Sequence, residues 1–191
     1  MSPDSKRSLF GISIVMGMGL IVAVPVYQRM TEVPEIAISA LTPTIAISGQ
    51  LQLDQLAQLH ARGFATVIDV RPDGEEKDQP ASAAVELAAK ASKLHFAYIP
   101  VPHGEISDAT VEALNKALLG SPARVLVYCR QGRRAARAWG LAEASRFDGR
   151  DAATIIATIK ASGHSADDLE TEIKYRIGRR SNHPRDIAST H

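Results

Sequence analysis

The chain has one cysteine, Cys129, in 191 residues. That excludes an intramolecular disulfide framework and any multi-cysteine metal site. It also lacks an excess of charge, with a formal net charge of +1. Nothing in that balance argues for nucleic acid or for a broadly acidic partner. His60, His95, His164, His183 and His191 are scattered, with no His-x-x-x-His spacing and no second cysteine to join them. The sequence therefore points to no metal and no cofactor. It contains no internal repeat either. What remains is one medium-sized domain with tails.

One long apolar run is present. Leu9 to Tyr27 carries no charge and one hydroxyl, Ser13. That length just suffices to cross a bilayer core of roughly 30 Å. Lys6 and Arg7 precede it, which places residues 1–8 in the cytoplasm and the domain outside. The reading is a single-pass inner-membrane anchor over residues 9–27, with the domain on the periplasmic or extracytoplasmic side. The alternative is a cleaved signal peptide, but the run is long for one and no small-x-small site follows it closely. Residues 28–43, with Pro34 and Pro43, read as a linker, and residues 178–191 as a disordered tail.

Between them, strands and helices alternate. Thr44–Ser48, Phe64–Val70, Phe96–Val101 and Arg124–Tyr128 read as strands. Leu51–Arg62, Ser82–Lys93, a helix capped by Ser107 or Asp108, Arg133–Ser145, Ala152–Ser162 and Ser165–Ile177 read as helices. The strands are nearly continuous apolar runs, as expected when both sheet faces are covered. The expected fold over residues 44–177 is α/β, with a mainly parallel four- or five-stranded sheet flanked by helices. In such folds the site lies at the carboxyl ends of the strands. Three loops qualify, after Val70, Val101 and Tyr128.

The third loop carries the chemistry. Val125-Leu126-Val127-Tyr128 runs into Cys129-Arg130-Gln131-Gly132-Arg133-Arg134 and then a helix. A thiol there faces backbone N–H groups and the positive end of a helix dipole, the setting of a thiolate nucleophile. Arg130, Gln131, Gly132 and Arg133 supply the anion nest, and Arg134 closes it, because a guanidinium matches paired oxygens. Free cysteines are often inert core residues, and the run Arg133, Arg134, Arg137 could be a solvated helix face. The Cys-x-x-Gly-x-Arg pattern between strand and helix favours a site.

This loop resembles that of rhodanese-type sulfurtransferases. The wider pattern is more particular. Ile47-Ser48-Gly49-Gln50, Gly63-Phe64, Val67-Ile68, Arg71-Pro72-Asp73-Gly74-Glu75-Glu76, Gln79-Pro80 and Ile99-Pro100-Val101, together with the cysteine loop, resemble the phosphatase-like domain of beta-lactamase hydrolase-like proteins. The resemblance covers about residues 44–145. It implies a fold similar to tyrosine and dual-specificity phosphatases and a cysteine-centred site for an oxyanion or a phosphorylated substrate.

In the phosphatase reading Cys129 attacks phosphorus, Arg134 holds the oxygens, and a proton donor serves the leaving group. Asp73, after the rigid Pro72, ranks first as donor. His103 and Glu105 come next, then Glu75, Glu76 and Asp108. Arg71 either holds a substrate oxygen or pairs with Glu75. Two departures point toward sulfur transfer through a persulfide on Cys129. Tyr128 stands where tyrosine phosphatases resemble one another in having histidine, and Arg134 comes one residue earlier than in Cys-x5-Arg. A third reading is a pocket that binds oxyanions without turnover.

Overall fold

Val125, Leu126, Val127 and Tyr128 are almost wholly buried because a parallel strand in the middle of a sheet is covered on both sides. The computed structural model, which describes residues 33–180, places them in the central strand. The strands are β1 (Ile38–Ala40), β2 (Ile45–Ser48), β3 (Phe64–Asp69), β4 (His95–Tyr98) and β5 (Arg124–Tyr128), in the order β1-β2-β5-β3-β4. β2, β5, β3 and β4 are parallel, and β1 lies antiparallel beside β2. The expected α/β sheet is present, with five strands.

Side chains alternate across β5. Val125, Val127 and Cys129 join one core cluster, with Leu114, Trp139, Ile155 and Ile173. Those residues come from α3 (Asp108–Leu119), α4 (Arg133–Ser145), α5 (Ala152–Ala161) and α6 (Glu170–Arg180). Leu126 and Tyr128 join the other cluster, with Leu56, Leu59, Val85 and Ala89. Those come from α1 (Leu56–Ala61) and α2 (Ser82–Ala91). The layers are α/β/α. Because β5 sits between β2 and β3, the carboxyl end of β5 opens at the point where the strand order reverses, the usual crevice in open α/β sheets.

Some expected boundaries differ. Part of the segment 28–43, read as a linker, is sheet: Ile38–Ala40 pairs with Ala46–Ser48, and Ile36 and Leu41 are buried beside it. Three residues are too few to show a period. The last helix starts later than Ser165, after a 3-10 turn at Asp167–Leu169, and runs to Arg180. The Arg180 guanidinium holds its end by donating to the carbonyls of Ala144 and Gly149. The apolar run 9–27 and residues 181–191 lie outside the described residues. Among the described residues no helix is long and apolar enough to cross a membrane.

Candidate active site

Cys129 follows the last residue of β5, and the chain must turn there to enter α4. Three backbone contacts shape the turn. The Cys129 N–H donates to Ser48 O at 3.4 Å, the Gln50 N–H donates to Arg130 O at 3.2 Å, and Gly49 bridges Gln131. Gly132 then takes φ 84°, a left-handed conformation open to glycine. A Cβ there would also stand 2.9 Å from His164 Nε2. From this position the Gly132 N–H donates to Cys129 Sγ at 3.1 Å, and the Gly132 carbonyl accepts from Ala136 in the first turn of α4. No side chain caps that helix, and no acidic residue lies in its first turn. Its leading N–H groups are thus free to meet an anion.

Cys129 lines a cleft of about 400 Å³, together with Val101, His103, Arg130, Arg133, Arg134 and Arg137. Cys129 itself is buried and forms part of the cleft wall. The loops after Val101 and Tyr128 therefore meet, as expected. Arg134 is mostly buried. Its Nη2 lies 2.8 Å from Glu75 Oε1, and its buried Nη1 has no hydrogen-bond partner among the described residues. One side of the guanidinium is thus anchored and Nη1 on the other is unpaired among the described residues. Gln131 and Arg130 also line the cleft, and Arg130 Nη2 is paired with Glu76 at 2.5 Å.

The loop after Val70 does a different job from the one expected. Arg71 is buried and holds no free donor face for a substrate. It donates to Gln50 Oε1 at 2.6 Å, Glu75 Oε2 at 3.0 Å and Glu76 Oε2 at 3.2 Å. Of the two fates open to Arg71 in the sequence, the pairing with Glu75 is the one observed. Glu75 and Glu76 then reach on to Arg134 and Arg130. Burial alone would raise the Glu75 carboxyl, but the hydrogen bonds from Arg71 and Arg134 outweigh it and hold it below the ordinary carboxylate range. These bonds favour the anionic form of Glu75.

Asp73 is likewise occupied. Its carboxylate accepts from the Ser82 N–H at 2.8 Å and the Ser82 hydroxyl at 2.6 Å, at the start of α2, and it does not line the cleft. An aspartate after proline in a turn looks the same in sequence whether it caps a helix nine residues on or serves a reaction. Asp108 pairs with Arg176 at 2.6 Å. Glu105 is exposed and absent from the cleft wall. His103 is in the wall, with Nε2 3.4 Å from Arg134 Nη2 and 3.5 Å from Glu75 Oε1. Among the described residues it is the one titratable lining group there besides Cys129 and the arginines.

Two features were not visible in the sequence. His164 packs against Gly132, and both burial and the charge of Arg133 push its imidazole down, toward the neutral form. Beneath the loop, Tyr128 donates its hydroxyl to Asp69 Oδ2 at 2.6 Å, and Asp69 Oδ1 accepts from the Arg71 N–H. Burial pushes the Asp69 carboxyl up to about 6 against those hydrogen bonds, and burial with the Asp69 charge raises the Tyr128 hydroxyl. An aspartate within an apolar strand was the available signal.

The sequence signature of the family described as beta-lactamase hydrolase-like protein, phosphatase-like domain, matches residues 37–146. The chain belongs to this family. A beta-lactamase hydrolase-like protein of Xylella fastidiosa is 37% identical over 106 residues, 56% of this chain and 24% of the relative. The chain thus spans about a quarter of the length of that relative. The crystal structure of a candidate phosphatase from Neisseria meningitidis matches with TM-score 0.65 and 28% identity, over 74% of this chain and 99% of that one. P. aeruginosa TpbA, crystallised with phosphotyrosine, matches with TM-score 0.52 over 77% of this chain and 94% of its own; at 13% identity the likeness is one of fold. The domain is phosphatase-like in family and in fold.

The buried Asp69 gives a signed expectation. Its folded-state pKa, raised from 3.8 to about 6, means that its contribution to stability is present below pH 4 and is lost as pH rises through 6. Urea unfolding from pH 4 to 7 will therefore show the parent losing stability relative to Asp69→Asn, by at most roughly 3 kcal/mol at 1.36 kcal/mol per pKa unit. A difference constant over that range contradicts the assignment.

Proposed function

We propose that the domain is a cysteine-dependent, phosphatase-like hydrolase of a phosphoester. The observation that carries this is Cys129 Sγ, held by the Gly132 N–H at 3.1 Å in the wall of a cleft that also presents Arg134. Cys129 forms the S–P bond as the P–O bond to the alcohol breaks. Helix N–H groups and Arg134 hold the three non-bridging oxygens. His103 supplies the proton to the leaving oxygen. Water then attacks phosphorus, the S–P bond breaks, and the thiolate is restored with release of phosphate.

A second reading is favoured by two observations on the same cleft. Four residues, not five, separate Cys129 from Arg134, and among the described residues no carboxylate lines the cleft wall. In that reading the Cys129 thiolate attacks the outer sulfur of thiosulfate, the S–S bond breaks, sulfite leaves, and the persulfide passes its sulfur to a thiol or cyanide. Neither a general acid nor a wide nest is needed.

The uncharged run Leu9–Tyr27 supports the further proposal that the domain is tethered to the inner membrane and faces the extracytoplasmic side. Alkaline carbonate extraction of membranes from cells making the full chain will leave it in the pellet. Its release into the supernatant contradicts the anchor.

The chemistry is tested with both donors. Release of p-nitrophenol from p-nitrophenyl phosphate, falling roughly a thousandfold or more in Cys129→Ser and about a hundredfold in Arg134→Ala, supports the hydrolase. Thiocyanate from thiosulfate and cyanide, with intact mass showing one added sulfur on Cys129, replaces it by sulfur transfer. Neither activity contradicts both and leaves an oxyanion-binding pocket.

A further inference from the structure

Three arginines stand at the wrong end of α4 for a helix left to itself. Arg133 and Arg134 occupy its first turn and Arg137 the second, where the helix dipole disfavours cations and the first turn itself carries no acidic residue. All three line the cleft with Arg130 and His103, and among the described residues no carboxylate and no aromatic ring lines it with them. A phosphate on a phenol ring would find no aromatic face here to rest on. The carboxylates that balance these cations stand behind them. Glu75 takes Arg134, Glu76 takes Arg130, and Asp168 takes Arg137 at 2.6 Å through one of its five donors. Arg133 is exposed and has no carboxylate within ion-pair distance among the described residues. Arg133 and Arg137 are one turn apart on a single face, with Cβ atoms about 5–6 Å from each other. They form a second cationic position, next to the one that Arg134 shares with the helix N–H groups.

We infer that the substrate is a phosphoester that carries a second phosphate beside the reacting one, a bisphosphate, with Arg133 and Arg137 as the residues that hold it. This deepens the proposed function and rests on the anion site described there. Asp168 offsets part of the repulsion between Arg133 and Arg137, and the second phosphate adds to that from the cleft side. It also makes specificity a matter of charge spacing, in place of the shape of an aromatic leaving group.

The probes are orthophosphate and pyrophosphate, titrated calorimetrically into the full chain carrying Cys129→Ser, at one fixed ionic strength. Pyrophosphate will bind about tenfold or more tightly than orthophosphate, about 1.4 kcal/mol per factor of ten. Adding Arg133→Ala and Arg137→Ala will bring the ratio close to one. Adding Lys174→Ala and Arg179→Ala, an equal loss of charge on α6, will leave the ratio as it was. Equal affinities in the Cys129→Ser parent, or a ratio that survives loss of Arg133 and Arg137, overturn the inference alone. So does a ratio that falls equally with Lys174 and Arg179. Failure of the parent to bind orthophosphate at all overturns the underlying anion site as well.

Discussion

The hydrogen bond from the Gly132 N–H to Cys129 Sγ sets the path of the chain between β5 and α4, and the cleft follows from that path. A strand that ends in the middle of a parallel sheet has neighbours on both sides, so the chain leaving it must rise and fold over. Pairing of Gly49 and Gln50 with the loop holds the first half of the turn, and the left-handed Gly132 makes the second half. The same residue that turns the chain brings its N–H onto the sulfur and starts α4 immediately afterwards. His164 fills the space where any Cβ on that residue would go. Sheet order, loop geometry and the direction of the helix dipole thus converge on one sulfur atom.

The charge arrangement around that atom depends on Arg71. A buried guanidinium is costly to desolvate and is retained where its partners satisfy it. Here the partners are Gln50, Glu75 and Glu76, and both glutamates continue to arginines of the cysteine loop. Arg71 therefore fixes two carboxylates, and the carboxylates fix Arg130 and Arg134 from behind. Removing Arg71 would leave two glutamates close together without their shared counter-ion and would loosen both arginines at once. Asp69 and Tyr128 lie under the same hub, joined to it through the Arg71 N–H. The segment from Arg71 to Glu76 is thus a frame for the anion loop.

The strand, loop and helix around Cys129 are legible in the sequence because each carries a local sign. Val125–Val127 is continuously apolar, Gly132 marks the turn, and Arg133–Ser145 begins where the helix begins. Residues whose meaning depends on distant partners are not legible. Asp73 serves Ser82, and nothing near Asp73 says so. Arg71 reads as a substrate ligand or as half of an ion pair until its burial is known. Arg137 has the spacing of a solvated helix face, and only the fold shows that it shares a cleft wall with the loop after Val101. The strand Ile38–Ala40 escapes for a different reason: at three residues an edge strand has no periodicity to detect.

The chemistry proposed for this cleft requires Cys129 to share its pocket with an anion. The most direct measurement is the rate at which iodoacetamide alkylates Cys129 in the full chain, followed by intact mass, with and without orthophosphate at constant ionic strength. Orthophosphate will slow alkylation in a saturable manner, and Arg134→Ala will weaken this protection. Alkylation at the same rate with and without phosphate would show that the thiol and the anion do not share a site, and would contradict that chemistry.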